Sequence, residues 1–133
     1  MNTEEVKEWM SIADEDFYSA KILNNAERKF YEIICYHCAQ AVEKNLKGYL
    51  VYNNIIPKKT HDLSYLVGCC IEIDNNFLII KPECEFLNQY SKDIRYPRRY
   101  EVTDGDVILS FAAVEKIRNC KPIVDCRNII ENE

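Results

Sequence analysis

The densest group of residues able to do chemistry lies between Lys92 and Tyr100. Lys92, Arg95, Arg98 and Arg99 stand there against a single acid, Asp93, with Tyr96 and Tyr100 among them. Arginine forks grip two phosphate oxygens at once, and tyrosine rings offer faces on which bases stack. The composition therefore suits a nucleotide or single-stranded RNA better than a protein carboxylate. The competing reading is a helix end whose arginines tie down carbonyls or acids.

Both histidines sit in suggestive company. His61 lies in Thr60-His61-Asp62-Leu63, directly after Lys58 and Lys59 and at the expected start of a helix. Free backbone N–H groups and two ammonium groups would hold an anion there, and a plain capping role competes with that reading. His37, Gln40, Lys44 and Lys47 recur at steps of three and four, forming one polar ridge in which Glu43 can pair with Lys47 a turn away. Such a ridge is expected to be a solvated face, the alternative being a face turned to a partner subunit or a bound anion. Cys35, His37 and Cys38 are close enough to suggest zinc, but no second Cys or His pair completes a tetrahedral set, and small cysteines on a helix are natural core residues. No metal or cofactor is expected. A glycine-rich phosphate loop, HExxH and GxSxG are all missing, and Asp104-Gly105-Asp106 is too short for a calcium loop and reads as a helix cap.

Composition sets the frame for these residues. A chain of 133 residues, 47% hydrophobic, is enough for one domain with one core, and only three glycines and four prolines leave few breakers for a many-turned β fold. A net charge of −5 argues against coating nucleic acid through a global field and leaves the local Lys92–Arg99 cluster as the positive site. Neither a signal peptide nor a membrane span is evident. Seven cysteines without framework spacing should then remain thiols, which places the chain in the cytoplasm.

The elements that must position these residues read as helices. Val6, Met10, Ala13, Phe17 and Ala20 mark an amphipathic first helix capped by Asn2 or Thr3 and ending near Asn24-Asn25. A second runs from about Phe30 to Tyr52 on the stripe Ile34, Cys38, Val42, Leu46 and Tyr49, with Gly48 costing about 1 kcal/mol near its end. Residues 53–60 read as a loop. A short third helix follows, capped by Thr60 or Asp62, with Leu63, Leu66, Val67 and Cys70 as its apolar face. Phe77-Leu78-Ile79-Ile80 is ambiguous between strand and packed loop. Pro82 opens a fourth helix through Phe86, Leu87, Tyr90 and Ile94, stopped at Tyr96 by Pro97. Thr103 and Asp106 form a capping box for a fifth helix reaching about Asn119, and 121–133 is left as an unassigned tail of the single domain.

Taken together, the run Ala39-Gln40-Ala41-Val42-Glu43-Lys44-Asn45-Leu46-Lys47-Gly48, the Thr60-His61-Asp62-Leu63 turn and Arg95-Tyr96-Pro97 resemble the HEPN family of nucleotide-binding domains over about residues 5 to 120. The resemblance implies an all-α, up-and-down bundle, here of about five helices. It also implies a homodimer, a nucleotide or RNA ligand and a nucleotidyltransferase partner, in a pair of the toxin–antitoxin kind. Arg95, Tyr96, Arg98, Arg99, His61 and Lys47 would form the binding site, with Tyr96 and Tyr100 as candidates for nucleotidylation. Ribonucleases of that family use an Arg-x4–6-His motif, and this sequence departs from it. Five to seven positions beyond Arg95 stand Tyr100, Glu101 and Val102, and beyond Arg28 stand Ile33, Ile34 and Cys35. The expectation is therefore a binding module. The alternatives are a ribonuclease toxin using His61 or His37 in a non-standard arrangement, or a helical interaction protein without a ligand.

Overall fold

The computed structural model describes residues 2–92 and 101–132. Among them are six α-helices: α1 (Thr3–Asn24), α2 (Tyr31–Tyr52), α3 (Leu63–Ile73), α4 (Lys81–Leu87), α5 (Asp104–Arg118) and α6 (Lys121–Glu131). Two 3-10 turns, Asn75–Ile80 and Asn88–Tyr90, flank α4, and no strand occurs among the described residues. The all-α bundle expected from the apolar periodicity is the fold observed. Among the described residues no helix is long and apolar enough to cross a membrane.

The caps form where the side chains require them. Asn2 accepts a hydrogen bond from Glu5 N at 3.1 Å, Asp62 one from Tyr65 N at 3.2 Å, and Thr103 and Asp106 close a reciprocal capping box on α5. The α2 helix ends at Tyr52 with Asn53 as its cap, and the chain turns away at Asn54, whose φ of 62° lies in the left-handed region that asparagine tolerates better than most residues.

The centre of the bundle is α2. Of its residues from Ile34 to Val51 only Tyr36, His37 and Lys44 are not fully buried, and α1, α3, α5 and α6 all pack on it. Ile34, Cys35, Cys38, Ala39, Val42, Leu46 and Leu50 cover nearly half of its circumference as an apolar face, and Gln40, Glu43 and Lys47 are buried on the opposite side. Antiparallel pairing with α1 shows in the contacts: Trp9 and Met10 meet Lys47 and Gly48, while Asp16 meets His37 and Lys44. Gly48 is what lets the two backbones approach. A Cβ there would lie 3.0 Å from Met10 Cε and 3.1 Å from Trp9 Cβ.

Three expectations are corrected here. The Phe77–Ile80 run is neither strand nor loop; it is part of a 3-10 turn, and Phe77 and Ile80 are buried because three residues complete one such turn, leaving Leu78 and Ile79 outside. The fourth helix stops at Leu87 because Asn88 is drawn to the start of α3. Asn88 Oδ1 accepts from Leu63 N at 2.8 Å, and its Nδ2 donates to Asp62 Oδ1 at 3.1 Å. Ile94 and Tyr96, where that helix was expected to continue and end, lie outside the described residues. The tail is a real helix, α6, with Ile123, Cys126 and Ile130 buried at helical spacing and Pro122 in its first turn. Arg127 Nη1 on α6 and Arg118 Nη1 on α5 donate to the two oxygens of Asp14 on α1, at 3.0 and 2.7 Å.

The cysteines are packing residues. All seven are free thiols and all but Cys69 are buried, and burial pushes the Cys35 thiol up to about 11 and that of Cys126 to about 12. Thiols held so far above neutral pH stay protonated and are poor nucleophiles.

Two tests follow from this packing. Leu46→Ala, at a fully buried position on the central helix, should cost about 2–5 kcal/mol in a denaturant melt. Acid stability should depend on Asp14 and Asp106. Partial burial raises Asp14, but its two arginine hydrogen bonds outweigh this and hold it below the usual carboxylate range; Asp106 is lowered first by the Thr103 backbone N–H, then by Tyr90 and the Thr103 hydroxyl. Depressed carboxylates contribute stability that is complete above the unfolded value near ~4 and is lost as pH falls through the folded values. Asp14→Asn should therefore flatten the loss of stability below about pH 4.

Candidate functional site

A seam of charged and polar side chains runs along α2 through the interior. Its centre is Glu43, 2% exposed, whose Oε2 accepts from Lys47 Nζ at 3.0 Å and whose Oε1 lies 2.7 Å from His61 Nδ1. Gln40 Nε2 reaches the same Oε1 at 3.4 Å and Ser91 O at 3.4 Å, while its Oε1 accepts from Lys44 Nζ at 2.8 Å. Lys44 and His37 share Asp16 on α1, at 3.5 and 3.3 Å. Two acids and two ammonium groups thus form a continuous chain of contacts with a histidine at each end. Burial of an isolated carboxylate would cost several kcal/mol, and this one is tolerated because each of its oxygens has a partner.

The ridge expected as a solvated face is therefore corrected: Gln40 and Lys47 are buried and Lys44 nearly so. The Lys47 ammonium lies between Glu43 and the ring of Trp9, 5.7 Å from its centroid, and from this position it supports Glu43. The i,i+4 pair of Glu43 and Lys47 is present, but inside the protein.

His61 is the seam's outlet. Its side chain is 55% exposed although its Nδ1 contacts a carboxylate at the centre of the bundle. A carboxylate only accepts, so the proton of that hydrogen bond is on Nδ1, and Nε2 is the nitrogen left to a ligand. Lys58 and Lys59 are exposed just before it, and Lys58 Nζ lies 5.3 Å from the Tyr65 ring. The backbone N–H groups expected to hold an anion at the start of α3 are otherwise engaged, Leu63 N with Asn88 and Tyr65 N with Asp62. The Asp62 carboxylate also occupies the cap and would repel an anion there.

Arg95, Tyr96, Arg98, Arg99 and Tyr100 lie outside the described residues. The positions that bracket them are described. The chain enters the stretch after Ser91, whose carbonyl meets Gln40 of the seam, and leaves it at Val102, which is buried, and Thr103, the cap of α5. Tyr90 Oη donates to Asp106 Oδ1 at 2.9 Å, tying the two flanks together.

Sequence reasoning missed Glu43 as the hub, along with Trp9, Asp16 and Ser91. Spacing on α2 carries no signal for this, because the burial of its polar side depends on the helices that pack around it.

This is an all-α bundle with an acid–base seam along its central helix and a half-exposed histidine at its mouth. A family model described as the HEPN domain matches residues 6–124, and the chain belongs to that family. Membership makes it, in general terms, a nucleotide- or RNA-related module. Comparison with curated proteins and with solved structures returns no match.

The seam predicts unequal costs for its members. Glu43→Ala strands a buried ammonium and should destabilise by about 3–5 kcal/mol, whereas His61→Ala, which leaves Glu43 Oε1 the 3.4 Å contact of Gln40, should cost about 1–3 kcal/mol, both read from urea melts.

Proposed function

We propose that this chain is a nucleotide- or RNA-binding HEPN module that works with a nucleotidyltransferase partner in a pair of the toxin–antitoxin kind. The observation that carries the binding part is His61: a buried carboxylate holds its Nδ1, two lysines precede it, and the same seam fixes Ser91, where the Arg- and Tyr-rich stretch begins. A histidine held in this way presents one nitrogen in one orientation, which suits a phosphate oxygen or a base edge. The nearby stretch adds guanidinium forks for phosphate in Arg95, Arg98 and Arg99, and ring faces for bases in Tyr96 and Tyr100. The partner part rests on family membership and on those two tyrosines as acceptors of a nucleotidyl group.

The Glu43–His61 geometry also favours a second reading. A carboxylate behind a histidine is the arrangement that orients a general base, so His61 could take the 2′-hydroxyl proton of RNA although the Arg-x4–6-His motif is missing.

Binding of a nucleoside monophosphate or short RNA should weaken as salt rises, because exposed cations release counterions and are screened. Arg95→Ala should remove most of it, Arg95→Lys should not restore it, and His61→Ala should weaken it roughly tenfold, as loss of a charge-assisted hydrogen bond does. No binding at low salt by the folded chain would refute the binding module. Metal-free RNA cleavage abolished by His61→Ala would establish the ribonuclease reading instead. With a nucleotidyltransferase and a nucleoside triphosphate, one added nucleotidyl group should appear by mass and disappear in the Tyr96→Phe, Tyr100→Phe double variant.

A further inference from the structure

The arrangement at His61 occurs a second time. At one end of the seam Glu43 meets Lys47 and His61, at 3.0 and 2.7 Å; at the other Asp16 meets Lys44 and His37, at 3.5 and 3.3 Å. In each group one carboxylate holds a histidine through Nδ1 and is matched by one ammonium. Glu43 and Asp16 lie well inside, while the imidazoles they hold reach the surface, that of His37 being 28% exposed. Asp16 only accepts, so the proton it takes is on His37 Nδ1, and Nε2 is the nitrogen on the side of the ring away from it.

A bare carboxylate behind a histidine would repel an approaching phosphate. Here each is balanced by its own lysine, so an anion reaching either ring meets no net negative charge behind it. An Nε2 held outward accepts from a ribose hydroxyl or a base amino group when the ring is neutral, and donates to a phosphate oxygen when the ring is charged. RNA offers all three partners. Between the two groups Gln40 links Lys44 to Glu43 and is itself buried beneath the Ser91 carbonyl, so the middle of the seam is filled by protein and its two ends are open.

Spacing decides what can reach both ends. His37 stands on α2, and His61 is tied to α2 through Glu43 six positions further on, so their anchors are about 9 Å apart along the helix axis. Hydrogen bonds reach only about 3 Å, and the single phosphate of a mononucleotide therefore serves one ring. At about 3.4 Å per nucleotide along a stacked strand, the same span takes about three nucleotides.

We propose that His37, Asp16 and Lys44 form a second subsite for the same ligand, which is a single strand of RNA about three or more nucleotides long, held by His61 at one end and His37 at the other. This rests on the nucleotide- or RNA-binding reading and narrows it from a nucleotide to an oligonucleotide.

Calorimetric titration at low salt with 2′-O-methyl oligouridylates of increasing length, from the monophosphate upward, tests it; the methyl groups bar cleavage through the 2′ oxygen. Affinity should rise roughly tenfold between one nucleotide and about four, as a second charge-assisted contact forms. His37→Ala should remove that step yet leave mononucleotide affinity within about twofold of the parent, because well-separated contacts act independently. In the unsubstituted chain, where no variant has to fold, the His37 Nε2 resonance should shift with the tetranucleotide and stay in place with the monophosphate. A gain with length that survives His37→Ala belongs to the Lys92–Arg99 cluster and overturns the proposal, as does a His37 ring indifferent to the tetranucleotide. Equal loss of mononucleotide and tetranucleotide binding in His37→Ala would also overturn it, making His37 a packing residue between α1 and α2. Mononucleotide binding without any gain in length would sink this proposal alone, whereas no binding of either would sink the binding reading with it.

Discussion

The carboxylate of Glu43 lies at the centre of a helical bundle, and most of what surrounds it follows from keeping it satisfied. Its two oxygens need donors that reach the interior, which Lys47 supplies from one turn along α2 and His61 from the turn before α3. Lys47 in turn needs cover, and Trp9 of α1 provides it. His61 must stay close, which fixes the loop after α2, and Asn88 clamps the start of α3 to the end of α4. One buried charge thereby sets the spacing of four helices. Replacing such a group by an apolar one often stabilises a protein. Its presence here is thus better accounted for by the histidine it presents than by stability.

The rest of the bundle is built to hold α2 without freedom to rotate. Turning the helix would carry Glu43 and Lys47 out of register with His61 and Trp9 and bring core residues into the seam. Gly48 brings α1 close enough for Trp9 to cover Lys47, and the Asp14 bridge to Arg118 and Arg127 joins α1, α5 and α6 on another side. Asp106 does similar work where the chain returns after the basic stretch, capping α5 and receiving Tyr90 at once. Both flanks of that stretch are thus anchored to rigid elements, one of them to the seam itself.

Much of the fold was legible because amphipathic periods and caps are local. Helices α1, α3 and α5 have one apolar face each and a side chain that caps the start, so spacing alone placed them. Helix α6 was not read, because Lys-Pro at its start and the polar Asp125, Arg127 and Asn128 hide a period carried by only Ile123, Cys126 and Ile130. The 3-10 turn at Asn75–Ile80 escaped for a related reason, a period of three being indistinguishable over four apolar residues from strand or loop. The candidate site was half legible. His61 and its lysines stood out by type, but the burial of Gln40, Glu43 and Lys47 depends on α2 being surrounded by other helices, a long-range property to which spacing on one helix is blind.

The central claim is that Glu43 fixes His61 so that Nε2 is offered to a nucleotide, and imidazole nitrogen spectra test it most directly. Two-bond nitrogen–proton correlations of the folded chain, recorded near neutral pH and titrated with a nucleoside monophosphate, should show His61 with its proton on Nδ1. Its Nε2 resonance should move on addition of the ligand, while His37, paired with Asp16 at the other end of the seam, moves far less. A His61 ring protonated on Nε2 alone, or an Nε2 resonance that ignores saturating nucleotide, would contradict the account.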